Sequence, residues 1–389
     1  MSAYKSANCS NKAICAASCM SIAVTLLGTG PNIWASRPVV CCWYPDSILQ
    51  VVAPQYPSAY SMHTCLMSHI DTTGDINHDL AGRLDSVWGD PATWVANGLQ
   101  WMHLQTVSDR MQAQVTGNLS VTPLEWFFTA VRARQPVPLR RVLVLGCGQG
   151  YVERQIAQNG WAQEIVAIDL SAKVLEVARA NAAVAGAPIQ YIQADMNRLP
   201  IGQSGFEPSS FDAVLGVSSV HHCAELEQLY ASVAALLAPG GWFYLDEYVG
   251  PDRFQYPAHQ VRFMNQLLDL LPDKLRTTLD GRVKANIWRP SVDEVIAVDP
   301  SEAVRSSALL SLLDPYFEVL EQRPYGGALL RVVLADIAQN FQSVAAEPYL
   351  HSLLEAEEEL FRAGRLQRDL VCVIARVRTA ASAPSIVDR

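Results

Sequence analysis

The stretch Val142-Leu143-Val144-Leu145-Gly146-Cys147-Gly148-Gln149-Gly150 is an apolar run that breaks into glycines at alternate positions. Four consecutive branched apolar residues are typical of a strand covered on both faces, as in a parallel sheet. The residues from Tyr151 to Ala157 follow with a helical pattern. Glycines let a backbone turn sharply and approach a ligand, and a helix N-terminus presents free N–H groups, so this order predicts a nucleotide site.

The glycine spacing distinguishes between two kinds of nucleotide ligand. A dinucleotide fingerprint requires G-x-G-x-x-G, whereas here the third glycine is Gly150 and position 151 is Tyr. The resulting pattern, G-x-G-x-G after a strand, resembles the first motif of the class I S-adenosylmethionine-dependent methyltransferases.

The resemblance implies how the cofactor is bound. In that superfamily the glycine loop lies beside the methionine part of the cofactor, and an acid ending the second strand holds the ribose hydroxyls. Asp169 stands at that position, and Asp195 matches the acid that contacts the adenine amino group, with Met196 against the ring. Carried over position by position, the implied cofactor contacts are Gly146, Cys147, Gly148, Gly150, Asp169, Leu170, Asp195, Met196 and Val217.

Two observations leave alternatives open at the cofactor site. Many members of the superfamily carry an acid at the end of the first strand, and this chain has Leu145 there. Each acid taken alone could also simply cap a helix or turn, as Asp often does. The glycine loop, Asp169 and Asp195 together favour S-adenosylmethionine as cofactor.

Composition places the chain among globular proteins, with 389 residues, 50% hydrophobic, 17% charged and a net charge of −9. A nucleic-acid binder usually has a basic footprint, so the charge weighs against DNA or RNA as a partner. No stable membrane insertion is expected, because the apolar run Ala13–Leu27 is short and interrupted. The oligomeric state is left open.

Residues 1–70 differ from the rest, with almost no charge and most of the cysteines: Cys9, Cys15, Cys19, Cys41, Cys42 and Cys65. They could pass for a signal peptide, but we favour a poorly ordered or spurious extension, with Met62 or Met67 as the start, and a cytoplasmic enzyme. Cys147, Cys223 and Cys372 are expected to be buried thiols. No Cys/His spacing typical of a metal site occurs, so no metal is predicted.

Alternating strand and helix patterns predict an α/β fold with a parallel sheet and helices on both faces. The resemblance to the class I methyltransferases implies a doubly wound, Rossmann-like, seven-stranded sheet of order 3-2-1-4-5-7-6. The predicted parts are a helical cover or lid at 80–135, a cofactor-binding core at 136–250, a helical insertion at 251–313 as substrate cap, C-terminal strands with inserted helices at 314–378, and a tail at 379–389. Capping boxes predict helices after Ser291 (with Glu294) and after Asp299 (with Glu302). Further helices are predicted near 328–342 and 348–363.

A base is needed if the acceptor of methyl transfer is a hydroxyl, since the cofactor supplies the electrophile. His221 and His222 follow the fourth strand, and Glu247 ends the fifth. These strands are neighbours in this fold, so the histidine and the carboxylate can meet across the pocket. The arrangement resembles small-molecule and sugar O-methyltransferases, which implies His221 as general base and Glu247 as its partner; the alternative is that the histidines only pack or hydrogen-bond.

Residues 95–378 further resemble a bacterial methyltransferase subfamily of polysaccharide and glycan gene clusters, on the run Asp246–Tyr256 and on Arg289-Pro290-Ser291 and the segment 299–306. This implies a small-molecule or glycan acceptor. Candidate acceptor-binding residues are His222, Tyr248, Arg253 and Arg305. Their alternative role is to hold the insertion on the core.

The function predicted from the sequence is therefore S-adenosylmethionine-dependent O-methylation of a small molecule or glycan intermediate. One alternative is a nucleic-acid or protein methyltransferase, disfavoured by the acidic charge and by Gly216-Val217-Ser218-Ser219 after the fourth strand. A second is a non-methylating binding or scaffold protein, which Leu145 leaves open. A nicotinamide dehydrogenase is disfavoured by Tyr151 and Asp195.

Overall fold

The computed structural model describes residues 77–89 and 98–378. These residues belong to a compact unit, Ile70–Arg389. The predicted extension at 1–70 and the predicted tail at 379–389 lie outside the described residues. Among the described residues, none of the helices is both long and apolar enough to span a membrane.

A seven-stranded sheet forms the centre of the molecule, with the strand order 3-2-1-4-5-7-6 that the sequence predicted. The first five strands pair in parallel, and the last strand pairs antiparallel with both of its neighbours. The strands are β1 (Leu139–Leu145), β2 (Ala162–Asp169), β3 (Gln190–Gln193), β4 (Phe211–Val217), β5 (Leu237–Tyr248), β6 (Phe317–Tyr325) and β7 (Leu370–Val377).

Helices cover both faces of this sheet and extend beyond its carboxyl edge. They are α1 (His78–Trp88), α2 (Gln105–Thr116), α3 (Pro123–Arg132), α4 (Tyr151–Gln158), α5 (Ala172–Ala185), α6 (Leu226–Leu236), α7 (Ala258–Asp269), α8 (Asp273–Arg276), α9 (Val292–Val298), α10 (Leu330–Val333) and α11 (Glu347–Arg362). Short 3-10 turns lie at Met196–Arg198, Val220–His222 and Ser306–Ala308, among other places.

The core has one layer on each face of the sheet because the strands are apolar on both sides. On one face α3 presents Phe127, which stacks on Tyr244 of β5 with ring centroids 4.9 Å apart. On the other face α6 buries its predicted apolar stripe, Leu226, Leu229, Tyr230, Val233 and Leu236. Because the sheet is covered on both faces, the carboxyl ends of β1, β2, β4 and β5 are held at one edge of it.

Two helix starts follow local capping chemistry, and the sequence predicted the one at Ser291. Ser171 caps α5 by accepting a hydrogen bond from the Val174 N–H. Ser291 and Glu294 form a reciprocal capping box at the start of α9. Helix α9 of the insertion therefore begins at the position that the sequence predicted.

The second predicted capping box, Asp299 with Glu302, is wrong. Asp299 accepts hydrogen bonds from the Ser301 N–H and hydroxyl and from the Trp88 indole. The chain continues through turns, and Ala303 adopts a left-handed φ of 47°. A helix cannot continue through that conformation. The Glu302 side chain therefore does not cap a helix start.

Two other predicted boundaries also differ from the structure. β5 starts at Leu237 instead of Trp242, because Leu237 already pairs with Phe211 across a bulge and Gly240 takes a φ of 73° inside the strand. The predicted helix near 328–342 breaks into α10 and a 3-10 turn at Ala338–Phe341. Asp336, at a φ of 64°, interrupts it.

Candidate active site

The glycine loop after β1 is tight because two of its glycines face neighbouring side chains. Gly146 has a φ of 57°, and a Cβ there would lie 2.6 Å from Ser219 Cβ. Gly150, at a φ of 82°, starts α4, and its Cβ would lie 2.6 Å from the Tyr191 hydroxyl oxygen. Neither position accepts a larger residue without movement.

A cleft with an empty volume of about 810 Å³, including its solvent-open part, lies in front of this loop. Its floor is formed at the carboxyl edge of the sheet, and α1 forms one wall. The lining residues include Leu80, Leu84, Trp88, Gly146, Gly148, Asp169, Leu170, Asp195, Met196, Asn197, His222 and Ser301.

Asp169 ends β2 and faces the cleft. Its Oδ2 accepts a hydrogen bond of 3.0 Å from the Gly148 N–H, and its Oδ1 accepts one of 2.9 Å from the Ser171 N–H. Burial raises the pKa of the Asp169 carboxyl, against the hydrogen bonds from Ser171 and Gly148. A carboxylate has acceptor capacity beyond two bonds, so Asp169 can still receive hydroxyls from a ligand.

Asp195 follows β3 and connects to a residue that sequence reasoning missed. Its Oδ1 accepts hydrogen bonds from both the backbone and side-chain nitrogens of Asn197, each at 2.8 Å. Asn197 Oδ1 in turn accepts from the N–H groups of Ala224 and Glu225. Asn197 thus joins the loop after β3 to the loop after β4. Residues of both loops line the cleft.

The predicted cofactor residues do not all face the cleft. Gly146, Gly148, Asp169, Leu170, Asp195 and Met196 line it. Cys147, Gly150 and Val217 are not among the lining residues. The Cys147 thiol is buried, which raises its pKa well above the usual value, and Gly150 serves the start of α4 as described above.

His221 and Glu247 meet as the sequence predicted. His221 Nδ1 lies 2.7 Å from Glu247 Oε2, and Glu247 Oε1 accepts hydrogen bonds from the N–H groups of Ser219 and Val220 at 2.8 and 2.7 Å. Both side chains are buried, with 7% and 1% of their surfaces exposed. The carboxylate therefore fixes the imidazole so that Nδ1 donates and Nε2 points away from Glu247.

The pKa values of the two adjacent histidines shift in opposite directions. Burial alone would lower the pKa of His221, but the hydrogen bond and charge of Glu247, together with Glu302, raise it above the usual value. Burial and the neighbouring His221 lower the pKa of His222. The two rings lie 4.3 Å apart between centroids, and only His222 is among the residues lining the cleft.

The insertion contributes three side chains to this pair that sequence reasoning missed. Ser301 Oγ lies 2.9 Å from His222 Nδ1 and donates to Asp299 Oδ1 at 2.6 Å. Glu302 Oε1 lies 3.6 Å from His221 Nε2. The only sequence signal was the pattern that suggested a second capping box.

The other predicted acceptor residues differ in placement. Tyr248 is buried, with its ring 6.3 Å from that of His221 and its hydroxyl donating to Pro251 O. Arg253 donates to the backbone carbonyl of Glu302 at 3.0 Å. Arg305 makes two contacts of 2.7 Å with Glu227 on α6. Arg305 therefore holds the insertion on the core, Arg253 joins two parts of the insertion, and Tyr248 forms a wall beside His221.

Helix α1 joins both sides of the cleft. Its Asp85 accepts hydrogen bonds from the Ser171 hydroxyl and the Lys173 N–H at the start of α5. Its Trp88 donates to Asp299 Oδ2 at 2.8 Å, on the insertion. Of the helical segment predicted as cover or lid, α1 is the part that lines the cleft, while α3 covers the sheet.

Residues 142–241 match a family model described as a methyltransferase domain. The matched segment begins in β1 and ends in β5. It contains the glycine loop, Asp169, Asp195 and His221, and it precedes Glu247 and the insertion.

Curated relatives match over a limited length. The ubiquinone biosynthesis O-methyltransferase of Paracidovorax citrulli is 34% identical over 110 residues, which are 28% of this chain and 44% of that protein. The protein of the same name from Albidiferax ferrireducens is 27% identical over 179 residues, 46% of this chain and 65% of that protein. The chain spans less than two thirds of either relative.

Among solved structures, an S-adenosylmethionine-dependent methyltransferase from Mesorhizobium loti is similar, with 22% identity and a TM-score of 0.37, covering 66% of this chain and 98% of that one. Residues 142–241 therefore match a methyltransferase-domain family model, and the sheet that contains them has the strand order of the class I methyltransferase fold.

Proposed function

We propose that the protein is an S-adenosylmethionine-dependent O-methyltransferase that acts on a small molecule, with a sugar or glycan intermediate as the favoured acceptor class. The observation that carries the proposal is the buried His221–Glu247 pair beside the cleft of the methyltransferase domain. The names of the curated relatives support an oxygen acceptor. The proposal includes a cytoplasmic location, because the cofactor is cytosolic.

The residues of the cleft fit the cofactor. Gly148 leaves open space above the loop backbone, and Asp169 and Asp195 present carboxylates at separate points of the cleft wall. We assign Asp169 to the ribose hydroxyls and Asp195 to the adenine amino group, with Met196 against the ring. When bound, S-adenosylmethionine supplies an electrophilic methyl group.

His221 is the proposed general base. Its Nδ1 is held by Glu247, so its Nε2 can take the proton from an acceptor hydroxyl. The carboxylate stabilises the imidazolium that results, because the charge of Glu247 favours the protonated ring. Tyr248 limits the space beside the ring, which would orient the acceptor.

A binding or scaffold protein that does not methylate is the second candidate. Leu145 is fully buried at the end of β1 and offers no acid to the cofactor. Incubation with methyl-labelled S-adenosylmethionine and a panel of phenolic, sugar and lipid-linked acceptors separates the candidates. An enzyme forms S-adenosylhomocysteine and a labelled acceptor, whereas a scaffold binds the cofactor and forms neither with any acceptor tested.

A further inference from the structure

Two histidines and a glutamate converge beside the cleft. Nε2 of His221 lies 3.6 Å from Glu302 Oε1, and Nε2 of His222 lies 4.0 Å from Glu302 Oε2. One potential ligand atom from each of the three residues lies within 4.8 Å of the others. Among the described residues, this is the one group of His, Cys, Asp and Glu with such a spacing.

The opposite nitrogens of both histidines are already bound. His221 Nδ1 is held by Glu247 at 2.7 Å, and His222 Nδ1 by the Ser301 hydroxyl, which is itself held by Asp299. Metal-binding histidines usually show this arrangement, in which an outer carboxylate or hydroxyl fixes the ring and leaves the other nitrogen for the ion. The two Nε2 atoms therefore present their lone pairs towards one carboxylate.

The contact that fixes the position of Glu302 does not involve its buried Oε1 atom. Arg253 donates to its backbone carbonyl at 3.0 Å. Its Oε1 is buried and has no hydrogen-bond partner, although an unpartnered buried carboxylate oxygen is costly. A direct hydrogen bond to His221 would need a shorter separation than 3.6 Å, whereas an ion between the atoms would use both.

We propose that His221 Nε2, His222 Nε2 and a Glu302 oxygen form a binding site for a divalent transition-metal ion. Two imidazoles and one carboxylate suit Zn²⁺, Co²⁺, Mn²⁺ or Fe²⁺ better than Mg²⁺ or Ca²⁺, which prefer oxygen ligands. Three protein ligands leave positions for oxygens from solvent or an acceptor. Sequence reasoning missed this site because it interpreted Glu302 only as part of a helix capping box in the insertion.

The role of the ion rests on the proposed function, although its binding does not. An ion at this site would hold an acceptor hydroxyl and lower its pKa, so that the hydroxyl proton would pass to solvent without a histidine base. His221 Nε2 serves as a ligand in the loaded protein and as a base in the metal-free protein. The two roles exclude each other at any one time.

The experiment uses the full chain, stripped with a chelator and titrated with Co²⁺ by visible absorption and with Zn²⁺ by calorimetry. We expect one ion per chain, Co²⁺ bands that report nitrogen and oxygen ligands, and affinity at least about tenfold weaker in Glu302→Gln. The control is His351→Ala, which removes the exposed His351–Glu347 pair of α11 and should leave affinity unchanged.

Two results would overturn the metal site: absence of stoichiometric binding, or binding whose affinity in Glu302→Gln equals that of wild type. A cooperative thermal unfolding transition shows that Glu302→Gln is folded. Co²⁺ should raise the unfolding temperature of wild type but not that of Glu302→Gln, because the variant binds the ion more weakly. S-adenosylmethionine binding is measured in parallel. If the cofactor binds and turnover does not depend on a metal ion, the result supports the proposed function and contradicts the role of the ion. If a metal ion binds and the cofactor does not, the result supports the metal site and contradicts the proposed function.

Discussion

The proposed cofactor side and the proposed acceptor side of the cleft are built in different ways. On the cofactor side, Gly146, Asp169 and Asp195 each lie at the end of a strand or within two residues of it. On the acceptor side, His222 meets Ser301 from 79 residues further along the chain. The cofactor side is therefore local in sequence, and the acceptor side depends on how an insertion folds onto the core.

This difference predicts that the two sides can be damaged separately. The bonds of Glu247 to the loop after β4 do not involve Asp169 or the glycine loop. Changes on one side should then alter either turnover or cofactor affinity, with little effect on the other quantity.

The largest effect is expected from His221→Ala. Loss of a general base typically lowers turnover by about 10²–10⁴-fold, and cofactor affinity should stay within about twofold of wild type. Turnover is measured as S-adenosylhomocysteine formation at saturating cofactor, with exposed His351→Ala as control. Ordinary turnover in His221→Ala would remove this histidine from the mechanism.

Asp169→Ala should have the next largest effect, on binding instead of turnover. Truncation removes a buried acceptor of ligand hydroxyls and leaves the Gly148 N–H unpaired, so cofactor affinity should fall by about 10–100-fold. Calorimetry measures this loss, and Asp293→Ala, an exposed aspartate of α9, should bind as wild type does. Equal affinities for the two variants would contradict the ribose assignment.

Sequence reasoning, through the resemblance to the class I methyltransferases, predicted Gly146, Asp169 and Asp195 at the carboxyl ends of strands, and these three residues line the cleft. It also joined His221 to Glu247, since β4 and β5 are neighbours in the predicted sheet order. It missed Asn197, Ser301 and Glu302, because their partners lie in other loops. Asp299 and Glu302 have the spacing of a capping box, but the bonds of Asp299 to the distant Trp88 and to the nearby Ser301 outweighed that local preference.

A buried carboxyl below the glycine loop gives the cofactor side a pH dependence. Glu153 is fully buried, and burial raises its pKa from 4.5 to about 7. The stability that this carboxyl contributes is fully present below pH 4.5 and is lost as the pH rises through about 7. Above that range the folded state must bury a charge.

Glu153→Gln should therefore stabilise the protein at pH 8.5, by about 1–3 kcal/mol relative to wild type, and change little at pH 5. Thermal unfolding at both pH values measures the effect. Glu176→Gln, an exposed position on α5, is the matched control and should show no such dependence. A Glu153→Gln variant that is less stable at pH 8.5 would mean that the charged form is favourably held.

The smallest effect is expected at α1, which contacts both sides. Trp88→Phe keeps the aromatic wall but removes the hydrogen bond to Asp299, so cofactor affinity should fall about two- to fivefold through looser closure of α1. Trp288→Phe, at a position 70% exposed, should bind normally. A loss as large as that of Asp169→Ala would show that α1 is part of the cofactor site and more than its cover.

The most direct test of the account is calorimetric titration of wild type, Asp169→Ala and His221→Ala with S-adenosylmethionine. We expect micromolar-range binding in wild type, the same affinity within about twofold in His221→Ala, and at least about tenfold weaker binding in Asp169→Ala. Failure of folded wild-type protein to bind, or an equal loss in both variants, would contradict the assignment of a cofactor side that functions independently of the acceptor side.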